Sequence, residues 1–270
     1  MPELPEVETA RRGIAPLITG QRVARVVVRN PRLRWRVPTQ LARELPGQKI
    51  NTVDRRAKYL LLATDAGTIV MHLGMSGSLR VVDASLPPQK HDHVDIVFDN
   101  GRCLRLRDPR RFGAVLWTSD PEHHPLLANL GPEPSSDDFN AAYLFERSRN
   151  RRRAVRDFLL DGQIVAGVGN IYANEALFAA GVRPARHAGR LTLKQCAKLV
   201  KTIRATLDRA IKAGGTTLRD FQNHDGLPGY FQLKLNVYGR KGDACPRCTT
   251  KIKHLNLGQR SAFFCPECQL

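Results

Sequence analysis

Acidic residues are scarce in this sequence, and the deficit defines its charge. The 270 residues include 25 Asp and Glu against 43 Lys and Arg, which gives a formal net charge of +18. Such an excess exceeds what solubility requires and indicates a polyanionic partner, with nucleic acid as the first candidate. An anionic membrane surface is the second candidate, but no basic amphipathic helix beside an apolar anchor is evident.

Long apolar runs and cysteines are also few. No stretch of about 18 apolar residues and no signal peptide is evident, so we expect a cytoplasmic protein without a membrane partner. Of the six cysteines, Cys103 and Cys196 stand alone in apolar patterns and are expected in the core. The other four cluster near the end of the sequence. Without a secretory signal, a metal site is favoured over disulfides for that cluster.

The pattern of turns and periodicity changes along the chain. In the first half, short β-branched runs alternate with Gly, Asn and Asp turns, and Asp99-Asn100-Gly101 is a hairpin signal. Residues 129–140 have little periodicity, and helical spacing dominates beyond them. A chain of this length can form two medium domains. We therefore expect an α+β fold in which a β-sandwich with flanking helices precedes a helical domain.

The periodicities also predict individual elements. Helices are predicted over residues 6–18, 141–160, 170–180 and 192–213. Thr192 is expected to cap the last helix, and Gly214-Gly215 to end it. Strands are predicted over residues 22–28, 49–53, 59–63, 68–73, 78–82, 94–98 and 103–107.

The first three residues combine two groups suited to covalent chemistry. Removal of Met1, which the small residue behind it permits, would leave Pro2 as a secondary amine beside the Glu3 carboxylate. Because an α-amino group has a pKa near 8, about a tenth of it is unprotonated at pH 7, against well under a thousandth of a lysine. Attack by this amine on a sugar C1′ would give an iminium, with Glu3 transferring a proton. On these residues alone, a proline without function is the favoured interpretation.

The spacing Cys245-x2-Cys248-x16-Cys265-x2-Cys268 is the most specific chemical signal. Each C-x2-C pair presents two thiolates from one tight turn, and two such turns complete a tetrahedral zinc site. Four thiolates leave no open coordination position, so we expect one structural zinc ion. Two disulfides or a fortuitous cluster are much less favoured. The residues between the pairs are enough for a β-hairpin.

Two segments of the second half carry weaker signals. The glycine-rich turn at residues 165–170 joins two helical patterns and lets backbone N–H groups approach a phosphate, although a bare helix-to-helix turn is favoured on the residues alone. The six arginines within residues 147–156 are equally well explained by a solvated helix face or by DNA contact. Glu175 is interpreted either as a support near the site or as a helix-surface or core carboxylate.

Several single residues have a purely structural interpretation as well as a functional one. Lys58 at a strand edge is usually solvated, and His72 and His91 are more often structural histidines. Met75 and Phe112 would be assigned to the core.

Six motifs together resemble the bacterial formamidopyrimidine-DNA glycosylases, which excise oxidised purines from DNA. The motifs are P-E-L-P-E-V-E-T at residues 2–9, H-L-G-M-S-G at 72–77, K-H-D-H-V-D at 90–95, D-P-R-R-F-G at 108–113, G-V-G-N-I-Y at 167–172 and the cysteine quartet. The match covers nearly the whole chain and is highly specific. It implies a monomeric bacterial base-excision repair enzyme that binds duplex DNA containing an oxidised base and stays with the nucleoid in the cytoplasm.

The resemblance also implies a domain plan and an activity. An N-terminal catalytic β-sandwich domain is expected over residues 1–132, a helical domain with a helix-two-turns-helix element and a lesion loop over 133–240, and a four-cysteine zinc finger over 241–270. The polar stretch at residues 214–232 would close over the extruded base. The implied activity is that of a glycosylase and abasic-site lyase that cleaves the strand by β,δ-elimination.

Residue roles follow from the same resemblance. The implied catalytic residues are Pro2, Glu3, Lys58 and Arg260. The implied DNA contacts are His72, His91, Arg110, Arg151 and Asn170. Turning a nucleotide out of the duplex leaves a gap, and the residues that resemble the family's gap-filling set are Met75, Arg110 and Phe112.

Two residues depart from the family's pattern, and two alternative functions remain open. Thr249 stands where many relatives have Gly, and Arg156 where some have Lys, so a lesion contact assigned to that Lys is not carried over. The endonuclease VIII branch, which prefers oxidised pyrimidines, typically opens P-E-G-P-E, so Leu4 favours the purine branch. The rival of another class is a non-catalytic zinc-containing DNA-binding protein, which would leave Pro2 and Glu3 without a role.

Overall fold

The computed structural model describes residues 2–214 and 235–270. Its described residues form two compact units. The first unit contains residues 2–128 with 213–214, and the second contains residues 129–212 with 235–270. The expected lesion loop, beyond Gly214, lies outside the described residues. The boundaries expected at 132 and 240 stay predictions.

The described part of the first unit is a β-sandwich. Its elements are α1 (Leu4–Ile18), β1 (Val23–Val28), α2 (Thr39–Glu44), β2 (Thr52–Arg56), β3 (Tyr59–Ala63), β4 (Thr68–His72), β5 (Ser78–Asp83), β6 (Asp92–Phe98), β7 (Arg102–Arg107) and β8 (Ala114–Thr118). One antiparallel sheet has the strand order β1-β6-β7-β5, and the other has the order β2-β3-β4-β8. Both sheets contribute to one apolar core, which confirms the predicted fold class for this half.

Helix α1 closes part of this core. Val7, Ile14 and Ile18 are buried against the sandwich, and burying each such side chain contributes about 1.5–3 kcal/mol. The helix begins at Leu4, two residues earlier than predicted, with Pro5 in its first turn. Proline is tolerated there because the first N–H groups of a helix have no partner within the helix.

Some elements of the first unit differ from the prediction. The strand predicted at residues 49–53 lies at Thr52–Arg56, and Lys49 forms only an isolated bridge with Arg22. Helix α2 and strand β8 were not predicted, because both are short and have little periodicity of their own. The hairpin at Asp99–Gly101 is confirmed: Gly101 has φ +79°, and the flanking strands pair antiparallel.

The described part of the second unit is helical and ends in a hairpin. Its elements are α3 (Ala141–Ser148), α4 (Val155–Leu159), α5 (Asn170–Ala180), a 3-10 turn (Ala188–Arg190), α6 (Leu193–Lys212), β9 (Lys253–Leu257) and β10 (Arg260–Phe264). Thr192 caps α6 as predicted, because its hydroxyl accepts a bond from the Gln195 N–H at 3.2 Å and its own N–H donates to the Gln195 side chain. Strands β9 and β10 form an antiparallel hairpin between the two cysteine pairs.

The single helix predicted over residues 141–160 is wrong. Helix α3 ends at Ser148, Asn150 takes a left-handed φ of +58°, and α4 begins only at Val155. The carbonyl oxygens of Arg151 and Arg153 instead accept hydrogen bonds from the N–H groups of residues 189 and 188. The arginine run is therefore largely a loop held by the chain around the 3-10 turn.

The cysteines outside the quartet lie where they were predicted. Cys103 and Cys196 are fully buried, and burial raises the pKa of the Cys196 thiol to about 11. Among residues 2–214 and 235–270, no helix has the length and apolar character needed to cross a bilayer.

Candidate catalytic, nucleic-acid and metal sites

Pro2 and Glu3 lie at the N-terminal end of α1. Both are buried, and the backbone N–H of Glu3 donates to Oε2 of Glu6 at 2.8 Å. The amino end of a helix carries a partial positive charge and free N–H groups, so it stabilises anionic groups nearby. The expected amine and carboxylate are thus held at the start of a helix that is itself packed into the core.

Lys58 lies in the tight turn between β2 and β3, after Ala57 with a left-handed φ of +53°. The Arg55 guanidinium donates to the carbonyl of Ala57 at 3.0 Å and to Glu8 at 3.3 Å. Glu8 belongs to α1, the helix that begins beside Pro2. The Glu8–Arg55 pair therefore ties the turn of Lys58 to the helix that carries Pro2.

Glu8 is not singled out by the sequence motifs. Burial raises the pKa of its carboxyl group, but hydrogen bonds from Arg11 and Arg12 and the nearby positive charges, that of Arg55 included, outweigh it and lower the pKa to about 2. The i,i+3 and i,i+4 spacing of Glu8 with the two helix arginines is a readable signal of a pair. The contact with Arg55, 47 residues away, has no such signal.

His72 ends β4 opposite Tyr59, with ring centroids 5.0 Å apart. Burial, together with the positive charges of Lys58 and Arg34, lowers the pKa of His72 to about 4. Its Nδ1 accepts a hydrogen bond from the Gly74 N–H at 3.0 Å. At neutral pH the ring is therefore uncharged, and Nε2 carries the hydrogen that can be donated to a phosphate.

The three expected gap-filling residues lie on two loops of the first unit. Met75 and Phe112 are exposed at 36% and 44%, so the core assignment is wrong for both. The Arg110 guanidinium lies 4.8 Å above the Phe112 ring. Met75 and Phe112, together with His72, line a cavity of about 350 Å³. The structure thus brings Met75, Phe112 and His72 of the predicted site together at one surface.

His91 lies directly before β6 in a left-handed conformation, with φ +78°. This conformation is uncommon for a residue with a side chain. Its carbonyl accepts a hydrogen bond from the backbone N–H of Asp108 at 3.0 Å. His91 is therefore joined to the loop that carries Arg110 and Phe112.

In the second unit, Asn170 is the first residue of α5, after the turn with Gly167 at φ +82° and the helix cap Gly169. Its side-chain N–H donates to the carbonyl of Ser261 in β10 at 2.9 Å. Its side-chain oxygen accepts from Arg156 at 2.9 Å. The glycine-rich turn is thereby attached to the hairpin that carries Arg260.

Arg156 is fully buried and does not face solvent. Its guanidinium donates to the Leu257 carbonyl at 2.7 Å and forms an ion pair with Asp157 at 2.7 Å. Leu257 and Ser261 lie on either side of Arg260 and the turn before it, so Arg156 links α4, Asn170 and this turn. In the sequence Arg156 appears only as one member of the basic run at residues 147–156. The carbonyl groups it binds are about a hundred residues away, so no local pattern reveals these contacts.

Other arginines of residues 147–156 line a cavity of about 480 Å³. Arg151, the expected DNA contact, is exposed at its edge, as are Arg152 and Arg153. Arg153 pairs with Asp161 at 2.9 Å. Arg151 has the exposure that a contact with a phosphate requires.

Glu175 resolves one alternative left open by the sequence. It is buried, and its carboxylate accepts hydrogen bonds from the backbone N–H groups of Asn236, Val237 and Tyr238 at 2.9–3.0 Å. It is a core carboxylate that anchors residues 236–238 to α5, and not a helix-surface residue.

The four cysteines of the quartet converge. All four sulfur atoms lie within 4.8 Å of one another, and three of the pairs are separated by 3.4–3.9 Å. Tetrahedral Zn–S bonds of about 2.3 Å require sulfur separations of about 3.8 Å. The donor set and its spacing fit one structural zinc ion.

Thr249 lies in the turn after Cys248 with φ +63°, and its N–H donates to the Cys245 carbonyl at 3.0 Å. Glycine adopts this conformation without steric cost, whereas a β-branched residue is strained. The threonine therefore keeps the turn of a glycine at the expense of backbone strain.

Comparison with known proteins identifies the family of the chain. Three family models match: the formamidopyrimidine-DNA glycosylase N-terminal domain at residues 1–115, the formamidopyrimidine-DNA glycosylase H2TH domain at 130–222, and a zinc finger found in FPG and IleRS at 242–270. Formamidopyrimidine-DNA glycosylases of Thioalkalivibrio sulfidiphilus and Marinobacter nauticus are 60% and 56% identical to the chain, each over 100% of both sequences.

Solved structures give the same result. The MutM (FPG) protein of Thermus thermophilus superposes with a TM-score of 0.89 at 41% identity, over 99% of this chain and 98% of that one. The Lactococcus lactis Fpg, in a complex with DNA containing an abasic site, superposes with a TM-score of 0.90 at 34% identity, over 99% of both chains. The chain belongs to the formamidopyrimidine-DNA glycosylase family.

Proposed function

We propose that this chain is a bifunctional DNA glycosylase and abasic-site lyase that removes oxidised purines, 8-oxoguanine and formamidopyrimidines, from duplex DNA in base-excision repair. The observation that carries the proposal is the buried pair Pro2 and Glu3 at the start of α1. A helix rigidly packed into the sandwich core, and tied through Glu8 to the turn of Lys58, suits a nucleophile that must be held in place.

In the proposed reaction, the Pro2 amine attacks C1′ of the flipped nucleotide, and the bond from C1′ to the base breaks. Glu3 delivers a proton to the ring oxygen as the sugar opens to an iminium. The iminium accepts electrons from C2′ when that carbon loses a proton, which expels the 3′ phosphate. A second elimination expels the 5′ phosphate. Lys58 and Arg260 are proposed to bind these phosphates and to assist the proton transfers.

Duplex binding is proposed to rest on the basic surface. The uncharged His72 would donate a hydrogen bond to the sugar-phosphate backbone of the DNA. The other contacts with the duplex would come from His91, Arg110, Arg151 and Asn170. Met75, Arg110 and Phe112 would fill the gap in the stack. The zinc ion has no open position and would hold the hairpin of Arg260 in shape. We place the protein in the bacterial cytoplasm, on nucleoid DNA, as a monomer.

Borohydride trapping tests this proposal. A duplex with one 8-oxoguanine opposite cytosine is incubated with the native protein, with Pro2→Gly, and with a chain that retains an N-terminal extension. Borohydride reduces the iminium and leaves a covalent complex, which we expect only from the native terminus. The intact mass of the native protein checks that Met1 has been removed.

The other outcomes separate the rivals. If an oxidised-pyrimidine duplex is trapped and the 8-oxoguanine duplex is not, the endonuclease VIII-like assignment replaces ours. If both duplexes are bound but neither is trapped, the protein is a non-catalytic DNA-binding protein and the role of Pro2 is refuted.

A further inference from the structure

Asp108 begins the loop of residues 108–113, which carries Arg110 and Phe112 and lies against the loop of Met75, and it is fully buried. One carboxylate oxygen accepts a hydrogen bond from the Ser76 hydroxyl at 2.9 Å. The other oxygen accepts from the Gly113 backbone N–H at 2.7 Å. Each oxygen therefore holds the neighbour of one expected gap-filling residue, Ser76 beside Met75 and Gly113 beside Phe112.

Ser76 extends this arrangement to the third residue. Its hydroxyl oxygen accepts a hydrogen bond from the backbone N–H of Arg110 at 3.3 Å. A serine hydroxyl can donate one bond and accept others, and here it donates to Asp108 and accepts from Arg110. The side chain of Ser76 thus connects its own loop to the loop of residues 108–113 twice.

The two loops also touch through their backbones. Gly74 has φ +62°, and a Cβ atom there would clash with the Phe112 carbonyl carbon. The Asp108 carbonyl is bonded to Nε2 of His93 at 2.9 Å, and its N–H to the His91 carbonyl. The backbone and side chain of Asp108 together join three segments of chain.

We propose that Ser76 and Asp108 are positioning residues that hold Met75, Arg110 and Phe112 in the geometry needed to fill the gap left by a flipped nucleotide. This inference rests on the proposed function. The gap-filling side chains are exposed on loops, so their own packing does not fix them before DNA binds. A buried carboxylate with both oxygens engaged fixes the loops in advance, which removes the cost of ordering them during base flipping.

The first test compares Ser76→Ala with Ser78→Ala. Ser78 is the matched control, because it is a buried serine two residues away at the start of β5. A duplex with 8-oxoguanine beside 2-aminopurine reports unstacking by fluorescence. We expect Ser76→Ala to slow this fluorescence step about tenfold, the effect of leaving one buried acceptor without its donor. Ser78→Ala should leave the rate unchanged.

A second substrate separates positioning from general damage. A single-stranded oligonucleotide with an abasic site needs Pro2 but offers no duplex gap to fill. We expect Ser76→Ala to trap on it at the native rate. Equal loss on both substrates, with a lower Tm, would mean that Ser76 acts only on folding and would overturn the inference.

A double-mutant cycle tests the route of the effect. In a chain with Met75→Ala and Phe112→Ala, adding Ser76→Ala should cost less than about twofold, because the side chains it positions are gone. Full additivity would overturn the inference. Asp108→Asn should reproduce the slow fluorescence step, since an amide group cannot accept both the Ser76 and the Gly113 hydrogen bonds. If the native protein itself fails on both substrates, the proposed function fails, and the inference fails with it.

Discussion

In the first unit the predicted DNA-contact residues lie at strand ends or on the adjoining loops. In the second unit Arg151 lies on a loop, Asn170 begins a helix, and the predicted catalytic residue Arg260 begins β10 after the hairpin turn. The first group is supported by a sandwich with a large apolar core. Within the described part of the chain, the hairpin packs against a small apolar cluster around the cysteines. It is held instead by four thiolates and by the buried guanidinium of Arg156. Similar surface positions are thus stabilised by apolar burial in one unit and by polar contacts and metal in the other.

Removing zinc should show the largest difference between the two units. A structural zinc site contributes on the order of 10 kcal/mol to the fold around it, so a strong chelator should unfold the hairpin and abolish DNA binding. The two tryptophans, Trp35 and Trp117, both lie in the first unit. Their fluorescence should therefore stay native while binding is lost, and added zinc should restore binding. A tryptophan spectrum that shifts together with the loss of binding would contradict the comparison.

Substitution of Arg156 should have the next largest effect. Arg156→Met leaves the partly exposed carboxylate of Asp157 and the carbonyl of Leu257 without their partner, a loss of about 1–3 kcal/mol for each group left unpaired. Urea unfolding of the second unit should show it, and zinc should be lost at a lower chelator concentration. Arg156→Lys keeps the charge without the planar fork, so its loss should be smaller.

The same variants report on the chemistry assigned to Arg260. If Arg156 holds the turn before Arg260, Arg156→Met should lower the share of δ-elimination product more than that of β-elimination product. An unchanged product ratio in a folded variant would show that the turn does not depend on Arg156.

Substitution of Glu8 probes the first unit. Its folded pKa of about 2 lies below the ordinary value of 4.5, so its stabilisation is present above pH 4.5 and is lost as the pH falls towards 2. From this pKa shift we expect the Glu8 charge to contribute up to about 3 kcal/mol to the free energy of unfolding at pH 7. Thermal unfolding of the native protein and Glu8→Gln should differ at pH 7 and converge towards pH 2. A difference that stays constant with pH would refute the role of the Glu8 charge.

The sequence predicted what depends on local pattern. Alternation located most strands of the sandwich, and the spacing of the quartet predicted the metal site before any geometry was known. The contacts of Glu8 with Arg55 and of Asp108 with Ser76 join residues 47 and 32 positions apart. No local periodicity encodes such pairs. The break after Ser148 was missed for the same reason, because the hydrogen bonds that hold the loop come from residues 188–189.

The smallest expected effect is a gain in stability, from a substitution of Thr249 in the turn after Cys248. Thr249 has a left-handed φ of +63°, which strains a β-branched residue by about 1–2 kcal/mol. Thr249→Gly removes this strain but gives the unfolded chain more freedom, which offsets part of the gain. We expect a net stabilisation of up to about 1 kcal/mol, measured as a higher urea midpoint and a higher chelator concentration for zinc loss. Thr249→Ala is the control, because it removes the hydroxyl and keeps a Cβ in the strained position. Equal stabilisation by both variants would assign the cost to the hydroxyl or the branched side chain and not to the backbone conformation.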